Sequence, residues 1–69
     1  MTNAMLHTWY VSFEDRRRIR FTTTFATEIE AKNFAREKSE DGLIVFAGTI
    51  NSLPRQLIPS ERIFEWVGA

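Results

Sequence analysis

The chain has 69 residues, enough for one domain and no more, and it carries nine basic and nine acidic side chains for a formal net charge of zero. It has no cysteine, which excludes disulfides and thiolate metal sites. At 43% apolar and 26% charged it has the balance of a folded globular chain rather than a disordered one.

The N-terminal run Met1–His7 has no basic residue and no long apolar stretch, so it is not read as a signal peptide, and residues 1–5 are read as a short lead. No segment approaches the roughly 20 apolar residues of a membrane span, and the expected setting is cytoplasmic. Leu6 to Phe13 alternates as a strand. His7, Trp9, Val11 and Phe13 share the more apolar side, which is assigned to the core, and Tyr10 lies on the opposite side. Glu14-Asp15-Arg16-Arg17 joins this strand to the next as a polar hairpin turn without an Asn-Gly or Asp-Gly signal, so its type stays open. Arg18 to Phe25 is the second strand, with Ile19, Phe21, Thr23 and Phe25 on one side and Arg18, Arg20, Thr22 and Thr24 on the other.

The clearest helix spans 27–40. Thr27 is its N-cap and Glu30, three residues on, completes a capping box. Ala31, Phe34 and Ala35 form a narrow apolar stripe, and Glu28→Lys32 and Arg36→Glu40 are opposite charges at i,i+4 spacing. Gly42 can end the helix in a left-handed conformation. Leu43 to Ile50 is a nearly unbroken apolar run read as a central strand, with Gly48 marking a bulge or a close backbone approach. Asn51 to Pro54 is a turn, Arg55 to Ile58 is extended, Pro59 to Glu61 is a break, and Arg62 to Val67 reads as the last strand.

These elements make a single small α+β domain over 1–69: a two-layer ββαββ unit, an antiparallel four-stranded sheet of order 2-1-3-4 with one helix on one face. The order places the two most apolar strands at the centre. It resembles short bacterial proteins of unassigned role that carry a ββαββ unit. Phe25-x-Thr27, Glu30-Ala31-x-x-Phe34-Ala35, Val45-x-Ala47-Gly48-Thr49 and Ile63-x-x-Trp66 carry that resemblance. It implies a fold and no activity.

No catalytic pattern surrounds Ser12, Ser39, Ser52 or Ser60, and the acid pairs Glu14-Asp15 and Glu40-Asp41 fall in or beside turns, where carboxylates are solvated. His7, the sole histidine, has no partner at metal-ligand spacing. No enzyme, metal or cofactor is therefore expected. Two binding modes remain. The first is protein contact, as a homodimer in the simplest case, through the sheet face away from the helix. Its expected residues are Tyr10, Ile44, Phe46, Phe64 and Trp66, because strands 3 and 4 have large apolar residues on both sides and one helix can cover only one. The competing arrangement folds residues 51–61 back over that face, with Leu53, Leu57 and Ile58 as a lid. The second mode is nucleic-acid binding through Arg16, Arg17, Arg18 and Arg20 on the first hairpin, although Glu14 and Asp15 share its turn.

Overall fold

A computed structural model describes residues 8–51 and 54–68. The elements in chain order are β1 (Trp9–Glu14), β2 (Arg20–Phe25), α1 (Glu28–Glu40), β3 (Ile44–Thr49), β4 (Leu57–Ile58), a 3₁₀ turn (Ser60–Arg62) and α2 (Ile63–Gly68). Four strands form one antiparallel sheet in the order β2-β1-β3-β4.

The α1 boundaries follow from local chemistry. The Thr27 hydroxyl accepts from the Glu30 N–H at 3.2 Å, and the Glu30 carboxylate accepts from the Thr27 N–H at 3.2 Å, so the capping box is complete. At the other end Gly42 sits at φ +80. Its N–H donates to the Ser39 carbonyl and the Leu43 N–H donates to the Lys38 carbonyl, the paired bonds of a Schellman ending. Lys32 meets Glu28 at 3.9 Å as the i,i+4 spacing predicts. Arg36 instead turns to Asn33 Oδ1 and to the Val67 carbonyl, away from Glu40.

The pairing register fixes which residues share a face. Trp9, Val11 and Phe13 pair with Phe25, Thr23 and Phe21 on one side and with Thr49, Ala47 and Val45 on the other. These rows lie under the helices. Val11, Ala31, Ala35 and Ala47 have no exposed surface, and Trp9, Val45, Ile63 and Val67 complete the buried cluster. Small side chains at Ala31 and Ala35 let α1 lie close to the sheet. Phe34 is half-buried beside them, its ring 5.2 Å from that of Phe25 and 5.9 Å from that of Phe13.

The C-terminal region departs from the sequence reading. Arg62–Val67 is not a strand: Ile63–Gly68 is helical, and the fourth strand is the two-residue Leu57–Ile58 within the predicted extended run. The sheet order holds with this shorter occupant, and the helical layer has two helices rather than one. Ile63, Trp66 and Val67 have i,i+3 and i,i+4 spacing, so one turn of helix turns all three inward. Ile63 and Val67 are buried, and Trp66 stacks on Trp9 with centroids 5.6 Å apart. Two polar links hold α2 against α1: Trp66 Nε1 donates to Glu28 Oε2 at 2.9 Å, and Arg36 donates to the Val67 carbonyl at 2.6 Å. The first of these uses a half-exposed carboxylate, and the second satisfies a helix-terminal carbonyl that has no partner within α2. Among the described residues no helix is long and apolar enough to cross a membrane.

Candidate functional site

Alternation places a second set of residues on the face that the helices leave open. Its rows read Thr24, Tyr10, Gly48 and Leu57; then Thr22, Ser12 and Phe46; then Arg20, Glu14 and Ile44. Tyr10, Ile44 and Phe46 therefore stand where the sequence predicted them. Phe64 and Trp66 do not. With 63–68 helical, Trp66 packs on Trp9 under the covered face, and Phe64 points outward from α2 with 72% of its surface exposed.

The expected lid is not formed by its described residues. Ile58 packs against the core, and Leu57 reaches the open face as an edge residue, 71% exposed. Leu53 lies outside the described residues, as do His7 and the predicted start of the first strand at Leu6.

Lateral contacts organise the open face. Tyr10 lies across Gly48: a Cβ built there would stand 2.8 Å from both Cε2 and Oη of the ring and 2.9 Å from the Gln56 carbonyl oxygen. The glycine is thus the close approach anticipated from the sequence, and it lets the ring lie flat on the sheet. In the next row Ser12 and Thr22 share a hydroxyl–hydroxyl bond of 2.7 Å. Ser12 is small, so Arg20 and Phe46 meet across β1, with the guanidinium carbon 5.1 Å from the ring centroid. Glu14 Oε2 holds the same guanidinium at 2.9 Å. The outcome is an apolar strip, Ile44, Phe46, Tyr10 and Leu57, bordered by hydroxyls and one neutralised arginine.

The arginine cluster is divided by its own turn. Asp15 N–H donates to the Ile19 carbonyl and the Asp15 carbonyl accepts from Arg18 N–H, so Arg16, Arg17 and Arg18 form a three-residue loop. Arg18 takes the left-handed position that closes such loops, at φ 68. The Asp15 carboxylate accepts from the N–H groups of Arg17 and Ile19 and from the Arg17 guanidinium. The Ile19 N–H is the foremost cause that holds the Asp15 carboxyl below its ordinary pKa, and the bonds and charge of Arg17 add to it against a desolvation that opposes. Arg17 is thus paired with Asp15 and Arg20 with Glu14. Among the described residues Arg16 and Arg18 meet no carboxylate at ion-pair distance.

A cleft of about 570 Å³ lies between β4 and α2 and is lined by Gln56, Leu57, Ile58, Arg62, Glu65 and Trp66. It holds one exposed ion pair, Arg62–Glu65 at 3.5 Å. Among the described residues no three or more His, Cys, Asp or Glu are grouped to hold a metal ion.

Leu57, Gly48 and the Ser12–Thr22 pair were not among the residues singled out for contact. Leu57 carried no periodic signal, since Arg55-Gln56-Leu57-Ile58 does not alternate and two strand residues are too few to fix a phase. No family model, curated protein or solved structure matches the chain.

Proposed function

We propose that this chain is a non-catalytic protein-interaction module that meets its partner through the open face of the sheet. A cytoplasmic setting belongs to the same proposal. The observation that carries it is the strip Ile44, Phe46, Tyr10 and Leu57, which runs across β3, β1 and β4 with both helices on the opposite face. Ile44 is 51% and Leu57 71% exposed. Contiguous apolar surface of this kind marks contact sites on folded chains, and aromatic residues are enriched at their centres. The surface is also pre-organised. Tyr10 is seated on Gly48, and Phe46 is held under Arg20, so little side-chain freedom remains to be lost on contact.

The test is a photo-cross-linking amino acid placed at Phe46 or, as control, at the exposed helix residue Ile29, in cells that express the chain at its natural level. A defined protein adduct from position 46 and none from position 29 is the expected result, and its mass tells a second copy from another protein. Equal labelling from both positions, or none from 46, removes the proposal.

Nucleic-acid binding is the weaker second reading, because Asp15 and Glu14 occupy two of the four arginines. With Arg16 and Arg18 left to contact phosphate, log affinity would fall against log salt with a slope of only about −2. A steeper slope, abolished by Arg16→Glu with Arg18→Glu, would reverse the order of the two readings.

A further inference from the structure

The two edges of the sheet are built differently. The β4 edge is two residues long and stands between Pro54 and Pro59, which cannot donate to a further strand. The β2 edge is six residues long, Arg20-Phe21-Thr22-Thr23-Thr24-Phe25, and consists of β-branched and aromatic residues apart from Arg20. It has no proline and no lysine. Edges of this length are normally blunted by lysine, proline, a bulge or a charge pointing into the pairing zone. Here the bulged residue Arg18 lies in the turn, beyond the strand. The one charge on the strand, Arg20, is drawn onto the open face by Glu14 and Phe46 and does not stand across the edge.

Two large apolar residues lie at this edge without full cover. Phe21 is 43% and Ile19 44% exposed. Phe21 already stacks on Phe13, 5.3 Å between centroids, so its ring is fixed on the helix side of the strand.

Backbone parity determines which groups face outward. Asp15 donates to Ile19, and the register pairs Phe13 with Phe21, so odd-numbered residues of this strand exchange bonds with β1. Arg20 and Thr22 therefore turn their backbone groups away from β1. An antiparallel copy of the same strand, related by a twofold axis at Phe21, would pair Arg20 with the partner copy's Thr22 and Thr22 with its Arg20. The two Phe21 rings would then oppose each other at the close, non-hydrogen-bonded position, each with an Ile19 beside it. No like charges fall directly opposite, and each Arg20 retains its own Glu14. The edge matches itself in backbone hydrogen bonding, and the two Arg20 side chains, diagonal across the axis, are each paired with their own Glu14, as a twofold interface requires.

We infer that the chain self-associates edge to edge through β2, two copies forming one continuous eight-stranded antiparallel sheet with the strands β2 at its centre. A ladder of about five residues per copy puts the contact below about 1,200 Å² in total, so the association is weak and depends on concentration. The inference goes beyond the proposed function and does not need it, since the open face is left free in the pair. Two such faces would lie side by side and offer a partner two linked contacts.

The test compares the intact chain at about 20 µM and about 1 mM by sedimentation velocity and by amide hydrogen exchange of individual residues. A shift toward the dimer mass at the higher concentration is expected, with exchange at the Arg20 and Thr22 N–H slowed at least tenfold. Phe21→Lys, which sets two like charges at the axis, is expected to keep the mass at monomer, and Leu57→Glu, on the open face at the opposite edge, is expected to leave dimerisation intact. A monomer mass at 1 mM with unchanged exchange at Arg20 and Thr22 overturns the inference without recourse to any variant. So does a dimer that Leu57→Glu dissociates and Phe21→Lys does not, which would assign self-association to the open face.

Discussion

On the covered face Val11, Val45 and Ala47 are closed off by Ala31, Ala35, Ile63 and Val67; in the rows that point the other way stand Ser12, Phe46 and Gly48. The first set is held by volume. Removing atoms there leaves space that the surroundings only partly refill. The second set is held sideways, by a hydroxyl pair, by an arginine over a ring, and by a ring seated on a glycine. Nothing above the open face is needed to keep those contacts in place. A sheet can thus have two ordered faces while only one of them is filled, and the unfilled one is available for contact.

The largest expected effect breaks the covered face. Trp66→Ala removes a ring stacked on Trp9 and the bond from Nε1 to Glu28. Trp-to-Ala changes in cores cost about 3–5 kcal/mol, and the half-exposed position of Trp66 puts this one near the lower limit. Urea denaturation would measure it, and a loss under about 1 kcal/mol would show that α2 contributes little to the core.

Gly48→Ala breaks the open face. Its Cβ would meet Tyr10 and the Gln56 carbonyl at under 3 Å. The ring can swing away, whereas the carbonyl can move only if β4 moves with it. Overpacking of this kind costs about 1–3 kcal/mol. Adding Tyr10→Ala should recover part of the loss, and a double-mutant cycle would read the coupling. Independence of the two changes would mean that the ring is not seated as described.

Arg18→Gly sharpens the comparison by altering a turn that belongs to neither face. A side chain in the left-handed region carries a conformational cost that glycine does not, so a gain of about 0.5–1 kcal/mol is expected, read as a raised melting temperature.

The smallest effect is set by pH. Asp15 has its folded-state pKa lowered from 3.8. A depressed carboxyl favours the folded state above the unfolded pKa, and the benefit disappears as pH falls through the folded value. The melting-temperature gap between the native chain and Asp15→Asn should therefore be steady above about pH 4 and shrink below it. A gap that stays constant down to pH 2 would refute the role given to the carboxylate.

Most of the frame from Trp9 to Thr49 was legible because its signals are local. The T-x-x-E capping box, the glycine at the left-handed C-terminal position and the alternation of β1 and β2 each need only a few neighbours to take effect. The end of the chain was not legible for the same physical reason turned around. A six-residue apolar window such as Arg62–Val67 satisfies a period of 2 and a period of 3.6 almost equally, and its β-branched and aromatic residues favour the strand reading. Pro59 fits the break before a helix as well as an edge strand, and the choice between them is made by distant residues, Trp9, Glu28 and Arg36, which receive the helix. That one ambiguity misplaced Phe64 and Trp66. Tyr10, Ile44 and Phe46 kept their places because parity along β1 and β3 never depended on it.

The two tryptophans of the chain are both in the Trp9–Trp66 pair, one near the start of the sheet and one in the last helix. At 5.6 Å and 21° between ring planes, all of the indole light absorption comes from a single coupled pair that exists only while α2 is docked. The indole part of the near-ultraviolet dichroism is therefore an optical gauge of one six-residue helix, whereas the amide region reports the whole sheet. If the C-terminal helix opens before the rest of the domain, as small terminal units often do, the two spectral windows will separate along the temperature axis with no label added to the chain.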